Sequence, residues 1–399
     1  MAIAKMKALP AQAEEDNDIS VTPLPGGIIE VRLAEEMVMP DGGVTMINDT
    51  GRSTQKVGYL KNSKIILLQK LTSYLAKIEK EKFVKAGGND FLGKQAAKAS
   101  TKNRLSFECP DADGSSQCWS FGQHAAKHGG TVGLGESKVV NLRLRIMASL
   151  TSWDITSGDV NLGVTIPFQN TRQFTEERMK AEKELEEQLI WTFKSKPCAV
   201  NVVRKLIAPE SYFGERLAWK AKTDENGKPY PCFEGIDRFI ADMGFQSFNL
   251  IVVDEENNFD PDLSVSLDYG VNLYYKAVAE SIGFKNFEHP AFILAVNEAS
   301  LVESYPFQIP GTMNVIDLSA HCQVAKNNFF QGLKTKLNQF SSNESILQSI
   351  RHFTVVGGGA YLFGDQFVDY LSNSEGFVSP LPDLANAISM AMAMGELLG

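Results

Sequence analysis

The sequence predicts an α/β protein of two domains, and three observations carry that expectation. At 399 residues the chain exceeds the usual domain of about 100–150 residues, so two cores are expected. Helical segments with an apolar stripe alternate with short, wholly apolar strand-like runs, the unit that α/β domains repeat. Two glycine turns, in DTGRSTQK and VVGGGA, each follow such a run, where a backbone without side chains lets a ligand come close.

Composition excludes several function classes. Hydrophobic residues make up 43% and charged residues 22%, as in an ordinary globular chain, and no stretch reaches the about 18 uninterrupted apolar residues of a membrane helix. The N-terminus has two lysines but turns acidic by Glu14 without an apolar core, so no secretory signal is expected. Five cysteines (Cys109, Cys118, Cys198, Cys232, Cys322), an odd number without a CxxC pair, stand beside only five histidines. That favours neither disulfides nor a metal cluster, and a reduced cytoplasmic setting is the expectation. A net charge of -9 argues against direct nucleic-acid binding.

Along the chain, residues 1–42 read as a partly ordered extension. From Gly43, GVTMINDTGRSTQKVGYL reads as strand, tight polar turn, strand. The lysine- and glycine-rich stretch 80–102 predicts a loop, and CWSFGQHAAKHGG a short strand entering a small-residue helix. The stripe Val139, Val140, Leu142, Ile146, Met147 and Leu150 predicts a core helix over 136–150, and DVNLGVTIPF a buried strand. An amphipathic helix is predicted over 175–193, with Met179, Leu185, Leu189 and Ile190 facing the core. The second half continues the alternation, with NVVRKLIAPES and FNLIVVD as strands and DYGVNLYYKAVAESIG as a helix. HFTVVGGGAYLFGDQFVDYL then reads as strand, turn and helix, and PDLANAISMAMAMGELL as a closing helix.

The order of these parts resembles the bacterial actin-like ATPases of plasmid segregation, the ParM/StbA group within the actin/Hsp70/sugar-kinase superfamily. The resemblance covers about residues 43–399. It rests on Asp49, Gly51 and Lys56 of DTGRSTQK; on Trp119, Gly122 and Ala125; on Val160 to Pro167; on Gly357 to Ala360; and on Pro382, Ala385 and Asn386. It implies an α/β, actin-like (ribonuclease H-like) two-domain fold with a nucleotide cleft between the domains. Domain I is expected over 43–166 plus 375–399, and domain II over 167–374.

Each of these places has a chemical reading of its own. Gly51 permits a tight turn, so the amides of 51–54 and the hydroxyls of Ser53 and Thr54 can meet phosphate oxygens, with Lys56 as a point charge. Asp49 at its strand end suits a hydrated Mg²⁺. The alternative is a plain β-turn. Gly357, Gly358, Gly359 and Ala360 open a backbone surface for a flat ligand, which the resemblance identifies as the adenosine part of ATP or GTP; the alternative is a flexible connection. Asp365 is expected to cap the helix that follows. For the second phosphate loop the resemblance requires a glycine-rich turn after an apolar strand, and the sequence offers Asp254, as a catalytic and second metal-side carboxylate, followed by Glu255, Glu256, Asn257 and Asn258. Either that loop is displaced, or nucleotide binding is weakened, since carboxylates beside a triphosphate repel it. Glu210 in IAPESYFG occupies the place where the resemblance puts a water-orienting residue; a helix-start Pro-Glu is the alternative, and Glu234 a weaker candidate. His124 and His128 lie one turn apart without a completing ligand.

The resemblance implies a nucleotide-dependent filament that associates with itself and segregates plasmid or other DNA through a DNA-binding adaptor, without a membrane. A non-catalytic scaffold and a small-molecule kinase are the competing readings.

Overall fold

The computed structural model describes residues 19–398 apart from 34, 52–53, 80–103, 111–114, 123–124, 126–128, 131–138, 169, 186–187, 221–229 and 345–349. The loop expected at 80–102, His124, His128 and Ser53 therefore lie outside the described residues.

The first half is built on one large sheet: β1 (Ser20–Leu24), β2 (Ile28–Arg32), β3 (Val44–Asp49), β4 (Thr54–Asn62), β5 (Ile65–Thr72), β6 (Leu75–Ile78), β7 (Arg104–Pro110), β8 (Ser116–Gly122), β9 (Ser157–Ile166), β10 (Gln188–Phe193) and β11 (Lys196–Pro209), in the spatial order 1-2-5-4-3-9-11-10-7-8-6. The second half has a five-stranded sheet of β12 (Arg238–Met243), β13 (Phe248–Val253), β14 (Phe259–Leu267), β17 (His352–Val356) and β18 (Glu375–Val378), ordered 14-13-12-17-18. A small hairpin, β15 (Pro306–Gln308) with β16 (Val315–Asp317), stands apart.

The central strands of the two sheets have the same topology. In the order 5-4-3-9-11, an antiparallel meander is extended by two parallel strands. The order 14-13-12-17-18 repeats it: β13 is antiparallel to β14 and β12, then β17 and β18 continue in parallel. The helices are α1 (Leu142–Ser152), α2 (Thr171–Glu184), α3 (Arg216–Lys220), α4 (Asn272–Ser281), α5 (Pro290–Ala299), α6 (Leu318–Glu344), α7 (Ala360–Tyr370) and α8 (Ala385–Leu398). Residues 385–395 of α8 are all buried, which fits a sequence of alanine, methionine and isoleucine with no charge before Glu396 and a helix packed against β3, β4 and β9.

Several expectations change. The sheets divide the chain differently from the expected domain limits: β10 and β11, at 188–209, lie in the first sheet, and β18, at 375–378, in the second. Part of the extension is structured, since β2 pairs with β5 and β1 pairs with β2. The predicted helix over 175–193 ends at Glu184, and Gln188–Phe193 is a strand. QLIWTF alternates exposed and buried positions, is rich in β-branched and aromatic residues, and pairs along its whole length with β11. Accordingly Met179 and Ile190, expected in the core, are exposed, whereas Glu177 and Ala181 are buried. The core helix expected over 136–150 begins at Leu142, and Val140 is exposed. Finally, Asp365 lies inside α7, whose N-cap is Gly359.

A buried ion pair stiffens the passage between the halves. Arg238, at the start of β12, donates through Nε to Glu215 Oε1 at 2.8 Å, and both side chains are almost wholly buried. Its other nitrogens reach the Ile236 and Asp254 carbonyls and Asn257 Oδ1. Burial pushes the Glu215 carboxyl above its usual range, against the pull of Arg238. Glu215→Ala removes the carboxylate paired with the buried guanidinium and is expected to lower the unfolding free energy by about 3–5 kcal/mol in a denaturant titration.

Candidate functional site

The parallel strands β3 and β9 end together, with Asp49 opposite Thr165, and β9 and β11 end with Ile166 opposite Pro209. Asp49, the turn after it, and Glu210 therefore share one edge of the first sheet. Asp49 is buried; its Oδ1 accepts from Thr165 Oγ1 at 3.0 Å and its Oδ2 from Lys56 Nζ at 3.0 Å. Gly51 is required by the tightness of its turn, because a Cβ there would stand 2.2 Å from the Thr54 carbonyl oxygen. The Gly51 amide donates back to the Asp49 carbonyl at 2.9 Å, so it is not one of the free amides expected of this turn. Thr54 begins β4 and is partly buried.

The second carboxylate of the site is Asp242, which sequence reasoning missed. Arg238 pairs with Val253 and Met243 with Phe248, so Asp254 lies beside the start of β12 and Asp242 near its end. Those ends are separated by roughly 16 Å of strand. Asp254 instead closes the β13–β14 turn: its Oδ1 accepts from the Asn258 amide at 2.6 Å and its Oδ2 from Asn258 Nδ2 at 3.2 Å. It belongs to a structural acidic turn and stands away from Asp49. The candidate for a displaced second loop is the β12–β13 turn, which follows Asp242.

A repeat in the sequence marks that turn. Ile47-x-Asp49-x-Gly51-x-x-Thr54 recurs as Ile240-x-Asp242-x-Gly244-x-x-Ser247, at matching strand ends in the topology that the two sheets share. An apolar strand, an Asp, a glycine turn and a second apolar strand are legible in both, but FNLIVVD, ending in a carboxylate, points to the wrong end of β13.

Asp242 faces the first half of the chain. Its Oδ2 accepts a short hydrogen bond from Ser211 Oγ and one from Asn386 Nδ2 at 3.1 Å. Ser211 holds a left-handed backbone, φ 72°, a strained conformation for a residue with a side chain and one that clusters at functional sites. Asn386 packs onto Gly214, where a Cβ would come within 2.6 Å of its Oδ1, and that oxygen is buried without a hydrogen-bond partner. Glu210 is buried beside Ser211 and its amide donates to the Ile166 carbonyl at 2.8 Å. Glu234 lies exposed in the loop before β12.

Asp242 pairs with Val356 across β12 and β17, which sets Gly357 beside it. Gly357 has φ 89°, and a Cβ there would lie 2.1 Å from Asp242 Oδ1. The Gly359 amide donates to the Met243 carbonyl at 2.8 Å, and a Cβ at 359 would strike Val271 at 2.5 Å. These two glycines are thus fixed by packing against the chain itself. Gly358 alone of the three has room for a Cβ, which would make only an ordinary contact with Asp383 Cβ at 3.9 Å. Ala360, buried, begins α7.

Burial pushes the Asp242 carboxyl above its usual range, and the nearby Asp49 adds to that; Ser211, Lys56 and Asn386 oppose it. For Lys56, burial works against the charge, but Asp49, Asp242 and Asp383 outweigh it and hold the ammonium above its ordinary range. Two buried carboxylates are donors of the kind a hydrated Mg²⁺ takes, since it uses few protein ligands and keeps its waters. Among the described residues no group of three or more histidines, cysteines or carboxylates forms a cluster of metal-ligating spacing. No helix among them is long and apolar enough to cross a membrane.

The family described as archaeal actin homologue MreB-like, C-terminal, matches residues 240–369. Among curated protein sequences none matches the chain. Among solved structures, an archaeal actin homologue, Ta0583, is similar with a TM-score of 0.61 at 19% identity, over 89% of this chain and 99% of that one. ParM of Bacillus thuringiensis with ATP is similar with a TM-score of 0.60 at 14% identity, over 92% of this chain and 100% of the other. The protein of a 15-stranded ParM filament from Clostridium botulinum gives 0.59 at 14%, over 89% and 99%. The chain has the actin-like fold.

Proposed function

We propose that this actin-like chain is a nucleotide-dependent filament protein whose cleft holds Mg²⁺ with ATP or GTP between Asp49 and Asp242. The observation that carries this reading is that the two repeated turns, one from each sheet, each follow a buried carboxylate, and that both carboxylates lie close enough to Lys56 to hold its ammonium above the ordinary range. Asp49 and Asp242 would hold a hydrated Mg²⁺, which would supply positive charge against the phosphates. Around it, Lys56 neutralises phosphate charge, Ser211 and Asn386 orient Asp242, Gly358 leaves backbone open to the nucleoside, and Glu210 orients and deprotonates a water. Solved neighbours described with ATP and as a filament support nucleotide binding and self-association. Segregation of plasmid or other DNA through a DNA-binding adaptor is the finer part of this reading and rests on the resemblance of the sequence motifs alone.

A second reading, a scaffold with a decayed site, draws on the second turn, where Phe245 and Gln246 follow the single glycine, Gly244. Light scattering separates the two. Assembly that requires Mg²⁺ and a nucleoside triphosphate supports the first, and assembly indifferent to nucleotide supports the scaffold. Under the first reading, Glu210→Gln is expected to keep nucleotide affinity, to slow phosphate release by about 10²–10⁴ and to prolong the scattering plateau. Unchanged phosphate release would remove Glu210 from its assigned role.

A further inference from the structure

Lys56 has a second lysine beside it. In the β4–β5 pair Lys56 lies directly opposite Lys70, so the two side chains leave the same face of the sheet from Cβ atoms about 4.5–5.5 Å apart. Like charges so placed repel. Each is met by a carboxylate from a different segment: Asp49 takes the Lys56 ammonium, and Asp383, on the crossover from β18 to α8, takes the Lys70 ammonium. Asp383 also accepts from Tyr361 Oη, on α7, at 2.9 Å. It stands next to Gly358, the glycine of the turn with room for a side chain.

The arrangement has an asymmetry. Lys56 is mostly covered, with a side-chain exposure of 21%, and its partner is at 5%; Lys70 is exposed to 43%, over a partner at 18%. One lysine is held in a covered pair, and the other is a point charge on a flexible stem in a more exposed pair.

We propose that Lys70 is a second phosphate-binding cation, parked on Asp383 and transferred to the polyphosphate of a bound nucleotide. The proposal rests on the nucleotide reading of the cleft and adds to it. A lysine in the register of Lys56 reaches the neighbouring phosphate of the same chain of phosphates. Its transfer breaks the contact by which Asp383 ties β5 to the crossover, so nucleotide binding is linked to the placement of the two sheets. Asp383, left without Lys70, keeps the Tyr361 hydroxyl as donor.

Two substitutions give opposite signs. In fluorescence titrations of the full chain with a Mg²⁺–ATP analogue, Lys70→Met is expected to weaken affinity about tenfold or more, the loss of one charge-assisted contact. Lys70→Arg, which keeps the charge, is expected to stay near wild type. Asp383→Asn frees Lys70 and removes a negative charge from the phosphate path, and is expected to tighten affinity several-fold. Thermal melts accompany each variant, and an exposed Lys70 predicts little change in them. Weakening by both Lys70→Met and Asp383→Asn, or no effect of either on a wild type that binds, overturns the proposal and leaves the cleft reading intact. A wild type that binds no nucleotide overturns the cleft reading and the proposal together.

Discussion

Asp242→Asn is expected to stabilise the protein measured without nucleotide at neutral pH while weakening Mg²⁺–nucleotide binding about a hundredfold. The two effects share one cause. Burial raises the Asp242 carboxyl above its ordinary range, so the folded chain holds that proton to a higher pH than the unfolded chain does. Between the ordinary carboxylate value, about 4, and the raised one, the folded state binds more protons, and stability falls as pH rises. An amide has no such titration. The gap in melting temperature between variant and wild type is therefore expected to widen as pH rises from about 4 through the raised value, and a constant gap would mean that Asp242 is not the strained carboxylate described above. Binding goes the other way, because Mg²⁺ favours the charged form that burial disfavours, and an amide cannot supply it.

The second large effect separates the glycines. Gly357→Ala must place a Cβ at 2.1 Å from Asp242 Oδ1 and 2.7 Å from the Met243 carbonyl oxygen, at φ 89°. Steric conflict and a backbone conformation that side chains rarely adopt are expected to cost about 3 kcal/mol or more. Gly358→Ala meets nothing closer than 3.9 Å and is expected to change stability by less than about 0.5 kcal/mol. Its effect should fall on the nucleoside instead, as a loss of affinity for ATP with little change in the melt. Equal destabilisation by both substitutions would contradict the division of the triplet into packing and ligand-facing positions.

Much of the fold was legible in the sequence, where its residues obey local rules. The strand ending in Asp49 and the turn forced by Gly51 follow from apolar runs and turn chemistry, as do the GGG turn before α7 and the uncharged closing helix. What failed were choices that tertiary context makes. QLIWTF continued the helical stripe of α2 but is claimed by β11, against which Trp191 is buried. Asp254 and Asp242 both stand at ends of apolar strands, and only the pairing of β12 with β13 tells which end meets the first sheet. The repeat of Ile-x-Asp-x-Gly-x-x-Ser/Thr was present in the sequence and points to Asp242 as the counterpart of Asp49. Lys70 carried no local signal at all, since its importance arises from the register with Lys56 and from Asp383, at a sequence separation of 313 residues.

The central claim is that Asp49 and Asp242 converge to hold a Mg²⁺–nucleotide. Its most direct test is the affinity of the wild-type chain for a fluorescent ATP analogue with Mg²⁺ and after chelation, repeated on Asp49→Ala. Binding that weakens at least about tenfold on chelation, with chelation losing its effect in Asp49→Ala, is the expected result. Affinity that is the same with and without Mg²⁺, or unchanged by Asp49→Ala, would contradict it.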